Sequence, residues 1–352
     1  VNNKKIWIKS VTIVTALMSI VGFVSVFKGI SLYDLKFGPV WIGKLFFQID
    51  KKLVVRIYDL NITPSNTPSK PSELGNFSLK YLKALSLIQE VTIKNIHIPG
   101  SFDGNFSFLN PHLELHSNLV STSGELLIQP KQVGLQLNYI KTPFVNFDSS
   151  YLELDGEELK KGLKIGGYVS PGGGVLYLNG EINTTQVTLF LEGKIGVVGY
   201  QGVKIEGLDQ LSGNVKYIFP KAQPFVHLKI GKGSVDYNNS LAVGEVDGAT
   251  INFQTGENIS PISVNLKVEK LHLDYNNSLA TGSMGGVILN LKSDSNSSRL
   301  VGDLNLSQLR LDYNHSLAKG VVKGGNIRFK VGGGDSPEVE GKIAKVVGEY
   351  NR

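Results

Sequence analysis

"LHLDYNNSLATG" occupies residues 271–282, and "SVDYNNSLAVG" (234–244) and "LRLDYNHSLAKG" (309–320) nearly repeat it. From Asp236 to Asp274, and again from Asp274 to Asp312, is 38 residues. A fixed period of this size marks a supersecondary unit that cannot bury its apolar face alone and stacks on its neighbours.

The residues around each copy define the unit. In "ISVNLKVEKLHLDY" (262–275), Ile262, Val264, Leu266 and Val268 alternate with Ser263, Asn265, Lys267 and Glu269. Such alternation is a strand with one apolar face. The phase then flips, because Leu271, Leu273 and Tyr275 hold odd positions. The next unit repeats this with Leu304 and Leu306, then Leu309, Leu311 and Tyr313; the unit before has Val226, Leu228 and Ile230, then Val235 and Tyr237. A flip at the same place each time predicts a recurring β-bulge, one residue inserted into the strand. "NNS" or "NHS" predicts a tight turn, since Asn tolerates positive φ. The return strand alternates again, with Val287, Leu289 and Leu291 in one unit and Ile327 and Phe329 in the next. Each unit is therefore expected to be one long hairpin, its strands roughly 45 Å long at 3.3 Å per residue.

The rest of the chain supplies little to cover that face. From Val91 onward no segment carries a helical period, and "YVSPGGGVLYLNG" (168–180) predicts a hairpin around Pro171–Gly174. The text predicts an antiparallel meander and excludes a doubly wound fold. Upstream, residues 30–62 predict three short strands, broken at Gly38–Pro39 and Asp50–Lys52. A Pro-rich loop (63–72) follows. In "NFSLKYLKALSLIQE" (76–90), Leu79, Leu82, Leu85 and Ile88 predict a short amphipathic helix with Asn76 as its N-cap.

Composition narrows the functional classes. The chain has 352 residues, of which 41% are hydrophobic, and no cysteine, so disulfides, thiolate metal sites and a cysteine nucleophile are excluded. Lys+Arg 36 against Asp+Glu 30 leaves a net charge of +6 without a basic run beyond the N-terminus, which gives no nucleic-acid footprint. Residues 10–27 form an uncharged run about 27 Å long as a helix, close to one hydrocarbon thickness. Ile6, Trp7 and Ile8 extend it. Lys4, Lys5 and Lys9 precede it and Lys28 follows, so the positive-inside rule puts the N-terminus in the cytoplasm and the body on the far side. "VSVFKGI" (24–30) lacks the small residues of a cleavage site, so the run is read as an uncleaved single-pass anchor. The expected organisation is an anchor (1–29), a cap of short strands, loop and helix (30–90), a β-meander (91–220) and hairpin repeats of 38-residue period (221–352).

The anchor followed directly by "ISLYDLKFGPVWIGKLFFQIDKKLVVRIYDLNI" (30–62), the Pro-rich break, the short helix and "IQEVTIKNIHIPG" (88–100) resembles the start of the AsmA-like family (AsmA, TamB and YhdP). These are repeating-β-groove, bridge-like lipid transfer proteins of the bacterial envelope. The resemblance implies an elongated, curled, mainly β groove with a small α/β cap. It implies an inner-membrane protein whose periplasmic body carries phospholipid between inner and outer membranes. Its partners would be phospholipid, the inner membrane through residues 6–27, and further envelope proteins completing the bridge. The residues expected to line the groove are Val264, Leu266, Val268, Val287, Leu289, Leu291, Leu304, Leu306, Ile327 and Phe329. The alternative is a structural or envelope-assembly β-protein with a self-packed core, since alternation alone also suits an ordinary sandwich or barrel.

Other chemistry is thin. His112, Glu114 and His116 share a strand face in "HLELH" (112–116), a pattern a metal could use, but a solvated polar face explains them as well. No glycine run is followed by a helix and a Lys-Ser/Thr pair, so no phosphate loop is expected. No acid, base and nucleophile fall into a catalytic order, so neither an enzyme nor a cofactor is expected. Of ten Asn-x-Ser/Thr sites, eight have Asp or Glu two residues earlier, which resembles the extended acceptor of bacterial N-glycosylation. Asn238, Asn276 and Asn314 are the candidate acceptors. Clustering of Asp, Asn and Ser at hairpin tips is the plainer account.

Overall fold

The computed structural model describes residues 28–350 apart from 50, 64–74, 76–77, 130, 144, 258–260, 295–298, 315 and 333–337. The expected anchor and the Asn76 cap lie outside the described residues. Among those described, no helix is long and apolar enough to cross a membrane. The protein is mainly β, with 21 strands and three 3₁₀ helices described. It divides into two units: one holds β1–β7, the other β8–β21.

In the first unit the strands are β1 (Ile30–Phe37), β2 (Val40–Ile49), β3 (Leu53–Ile62), β4 (Ile88–Ile98), β5 (Phe102–Leu109), β6 (His112–Ser117) and β7 (Ser121–Ile128). They pair in chain order, and the breaks at Gly38–Pro39 and after Ile49 fall where expected. One pair departs from an all-antiparallel meander. β3 and β4 run parallel, with Arg56 opposite Thr92 and Ile57 opposite Ile93. A parallel pair needs a crossover, and residues 63–87 supply it. Arg56 locks the pair: its Nε and Nη2 donate to Glu90 at 2.6 and 2.7 Å, and Thr92 Oγ1 donates to Glu90 at 2.9 Å. This fork holds the Glu90 carboxyl below its ordinary range and the Arg56 guanidinium above its own.

The expected amphipathic helix is a 3₁₀ helix, Leu79–Leu87, and Ile88 begins β4 instead of ending the helix. The physical reason is in the spacing. Leu79, Leu82, Leu85 and Ile88 stand three apart, which is the 3₁₀ period and not the 3.6 of an α-helix.

The second unit contains β8 (Gln132–Lys141), β9 (Asn146–Phe147), β10 (Ser150–Asp155), β11 (Leu163–Val169), β12 (Val175–Ile182), β13 (Gln186–Tyr200), β14 (Val203–Ile218), β15 (Gln223–Tyr237), β16 (Ala242–Thr255), β17 (Ile262–Tyr275), β18 (Ala280–Ser293), β19 (Arg299–Tyr313), β20 (Ala318–Gly332) and β21 (Glu338–Tyr350). β9 and β10 both pair with β8 as two pieces of one interrupted strand. From β10 every strand pairs antiparallel with the next, and the Pro171–Gly174 turn joins β11 to β12 as expected. Each 38-residue unit is one hairpin, β15–β16, β17–β18 and β19–β20.

The repeated phrase closes each tip. Asn238, Asn239 and Ser240 all have positive φ (52°, 54° and 68°), as do Asn276, Asn277 and Ser278. Asn accepts this region readily; Ser does so at a cost of about 1–2 kcal/mol. The aspartate offsets that cost. Ser278 donates its N–H to Asp274 Oδ1 at 2.6 Å and its hydroxyl to Oδ2 at 2.7 Å, and Ser240 and Ser316 do the same to Asp236 and Asp312. The hydroxyls of Ser278 and Ser316 hold the carboxyls of Asp274 and Asp312 below their ordinary range.

Candidate functional site

The registers of β15–β21 assemble the apolar side chains into rows running across the strands. Val226, Phe253, Val264, Leu291, Gly302 and Phe329 form one row; Leu228, Ile251, Leu266, Leu289, Leu304 and Ile327 form the next. Ile230, Ala249, Val268 and Val287 make a third. Beyond the phase flip, Val246, Leu271, Met284, Leu309 and Val322 make a fourth, and Tyr237, Ala242, Tyr275, Ala280, Tyr313, Ala318 and Tyr350 run along the tips. All ten residues expected to line a groove stand on this face.

The flip itself is not the inserted-residue bulge expected from the sequence. A true bulge shifts register by one, as it does between Gly193 and Ile195 and between Glu206 and Asp209. From β15 to β21 the register is the same on both sides of the flip, for example Asp247 opposite Lys270 and Ala249 opposite Val268. Both strands change phase at one level. There β16, β18 and β20 each carry a glycine at positive φ: Gly248 at 77°, Gly286 at 60° and Gly324 at 62°. On those three strands the left-handed residue accompanies the reversal without adding length, while β15, β17 and β19 change phase at the facing level with no positive-φ residue of their own. Val246, Leu271 and Met284 consequently pack against Ala249, Val268 and Val287, so the apolar face continues through the kink.

Burial is graded along this face. Ala249, Val268 and Val287, at the kink, are 8%, 6% and 8% exposed. Val264, Leu266, Leu289, Leu291, Leu304, Leu306, Ile327 and Phe329 are half-buried. Toward the tips exposure grows, to 50% for Leu311 and 49% for Tyr275. The opposite face is polar and internally bonded. His227 Nδ1 lies 2.5 Å from Asn252 Oδ1, Asn265 Nδ2 donates to Asn290 Oδ1 at 2.6 Å, and Arg328 Nε donates to Asp303 at 2.8 Å. Asparagines at alternate-face positions in successive strands are the sequence signature of this amide ladder.

Asn238, Asn276 and Asn314 sit exposed at the tips. The serine two residues on is held by the aspartate in each copy, which gives the Asp-Tyr-Asn-x-Ser phrase a turn-closing role. On β6, His112 Nδ1 lies 3.1 Å from Glu125, and His116 Nδ1 lies 2.7 Å from Ser121 Oγ. No group of three His, Cys, Asp or Glu side chains placed to hold a metal occurs among the described residues.

Compared with protein-family models, with curated proteins and with solved structures, the chain has no match in any of the three.

Proposed function

We propose that the apolar face of β15–β20 shields lipid acyl chains, and that the protein carries phospholipid between the inner and outer membranes of a bacterial envelope. Its body would stand in the periplasm, anchored by residues 6–27. The observation that carries this reading is the continuity of the apolar rows through the kink, with most of their side chains half-exposed rather than covered. An acyl chain of about 16 carbons left in water costs on the order of 12 kcal/mol at ~0.8 kcal/mol per methylene. An uninterrupted row of Val, Leu and Ile replaces that lost environment, and each added hairpin lengthens it by two strand spacings, about 9.6 Å. The uncharged run at residues 10–27 gives lipid a place to enter.

A second reading, a structural β-protein with a self-packed core, is favoured by the kink trio alone. Ala249, Val268 and Val287 bury one another without any ligand.

Photo-crosslinking in cells, with benzoylphenylalanine at Leu289 or Leu291 and mass spectrometry of the adducts, separates the two. Phospholipid attached there, and not at Ile288 or Lys292 on the opposite face, supports lipid carriage. Folded protein with no lipid adduct at either face overturns it.

A further inference from the structure

The polar face departs from its own repeat at one place. β17 and β19 flank β18, and the registers put Lys270, Gly285 and Gln308 in one row and His272, Ser283 and Arg310 in the next. One unit earlier the corresponding central strand, β16, carries Asp247 and Glu245. Asp247 lies between Lys232 and Lys270, and Glu245 between Ser234 and His272. Thirty-eight residues on, those two acids become Gly285 and Ser283. A cleft of about 410 Å³ opens over them, walled by Lys270 and His272 on one side and Gln308 and Arg310 on the other.

No carboxylate lines this cleft. Lys270, Gln308 and Arg310 enter no side-chain hydrogen bond or ion pair among the described residues. Two acids stand at its rim: the charge of Asp274 acts on His272, and Asp312 lines the adjoining cavity with His272, Ser283 and Arg310, although both carboxylates are also bonded within their own turns. Asp274 holds Ser278, and Asp312 holds Ser316 and faces Lys319 at 3.7 Å. Glu245 and Asp247 face the far flank of His272 and Lys270.

We infer that this cleft binds a phosphate group. The two walls stand two strand spacings apart, about 9.6 Å. A tetrahedral oxyanion resting on the small floor reaches donors from both sides. Arg310 offers a planar fork, Lys270 a mobile ammonium, Gln308 an amide, His272 a ring N–H and Ser283 a hydroxyl. A carboxylate, with two oxygens in one plane, uses fewer of them. The cleft lies on the face opposite the acyl-chain rows, so a phospholipid whose chains occupy those rows does not present its headgroup here. The site is independent of the lipid reading.

The test uses the full chain in detergent micelles at constant ionic strength, and reads ³¹P line broadening of inorganic phosphate and of glycerol 3-phosphate. Saturable broadening is expected. Arg310→Ala and Lys270→Ala should each weaken it by about threefold to tenfold. The double variant Ser283→Glu/Gly285→Asp, which restores the acids of the preceding unit, should abolish it. A side chain at position 285 is accommodated, since its Cβ would meet nothing nearer than the Glu269 carbonyl at 3.9 Å. Lys267→Ala, on the same strand beyond the kink, should change nothing. Tighter binding of glycerol 3-phosphate assigns the site to a phosphate monoester, and tighter binding of inorganic phosphate assigns it to the free ion. Absence of saturable broadening overturns the inference. So does equal affinity in the wild type, Arg310→Ala and the double variant, when their circular dichroism agrees. An equal loss in Lys267→Ala would reduce the effect to diffuse surface charge and overturn it as well.

Discussion

The backbone N–H of Asn276 donates to the carbonyl oxygen of Leu241 at 2.8 Å, tying each hairpin tip to the tip before it. Asn314 donates likewise to Leu279 at 2.7 Å, and Asn238 to Gly202 at 2.7 Å. The left-handed turn that the aspartate closes also aims this N–H outward from its own hairpin. One phrase therefore performs two tasks, closing a turn and joining it to its neighbour.

Removing the aspartate should separate those tasks. Asp274→Ala is expected to leave the strands paired while the Ser278 amide loses hydrogen-exchange protection by about an order of magnitude. The Asn276 amide should lose protection with it. Because the folded pKa of Asp274 is lowered, the same loss should follow acidification of the wild type. The closure is fully present above the ordinary Asp range, near pH 4, and fades as pH falls through the lowered value. Retained Ser278 protection in Asp274→Ala would show that the turn closes without its aspartate.

Glu90 makes the corresponding prediction for the first unit. Glu90→Gln is expected to cost about 1–2 kcal/mol at pH 7, a range discounted because Arg56 is 42% exposed. Its folded pKa is lowered, so the stabilisation is present above the ordinary Glu range and is lost as pH falls through the folded value. Urea midpoints of wild type and variant should therefore converge in acid. A difference that persists at pH 2 would assign the loss to packing.

At the kink, a methyl group at Gly286 would lie 2.5 Å from Ser307 Oγ on a backbone with φ of 60°. Gly286→Ala is expected to lower stability by about 1–2 kcal/mol. Its neighbour Gly285, where an added Cβ would meet only the Glu269 carbonyl oxygen at 3.9 Å, should tolerate the same substitution nearly unchanged. Denaturant melts of the two variants give the comparison.

The apolar face should respond to charge according to depth. Val268→Asp places an unpaired carboxylate where exposure is 6%, and is expected to destabilise by about 3 kcal/mol or more. Leu289→Asp, on a half-buried site, should keep the far-ultraviolet circular dichroism of the wild type while losing any lipid adduct. Unfolding by both substitutions alike would favour the self-packed reading.

Much of this architecture is legible in the sequence because a strand has a period of two and a repeat has a fixed length. The alternation around Val264 and Leu289 places those side chains on one face, and the 38-residue interval places successive copies side by side. The flip between Val268 and Leu271 is visible too. Its mechanism is not, because the apolar pattern of the strand that carries Leu271 does not show that left-handed glycines stand on the strands beside it. Gly248, Gly286 and Gly324, themselves 38 residues apart, are the signal on those strands. The parallel pairing of β3 with β4 is set by a crossover whose pattern does not state a direction. The phosphate cleft is invisible in any single strand, since it arises from what two neighbouring strands place around a third.

The unchanged register from β15 to β21 has a topological consequence. The row that begins at Tyr237 reaches Tyr350 without leaving the tips. A barrel closes only when successive strands are staggered, so that a row followed sideways drifts along the strand and returns displaced. Here the shear from hairpin to hairpin is nil. Such a stretch grows by accretion, and the breadth of its apolar face is proportional to the number of copies of one phrase.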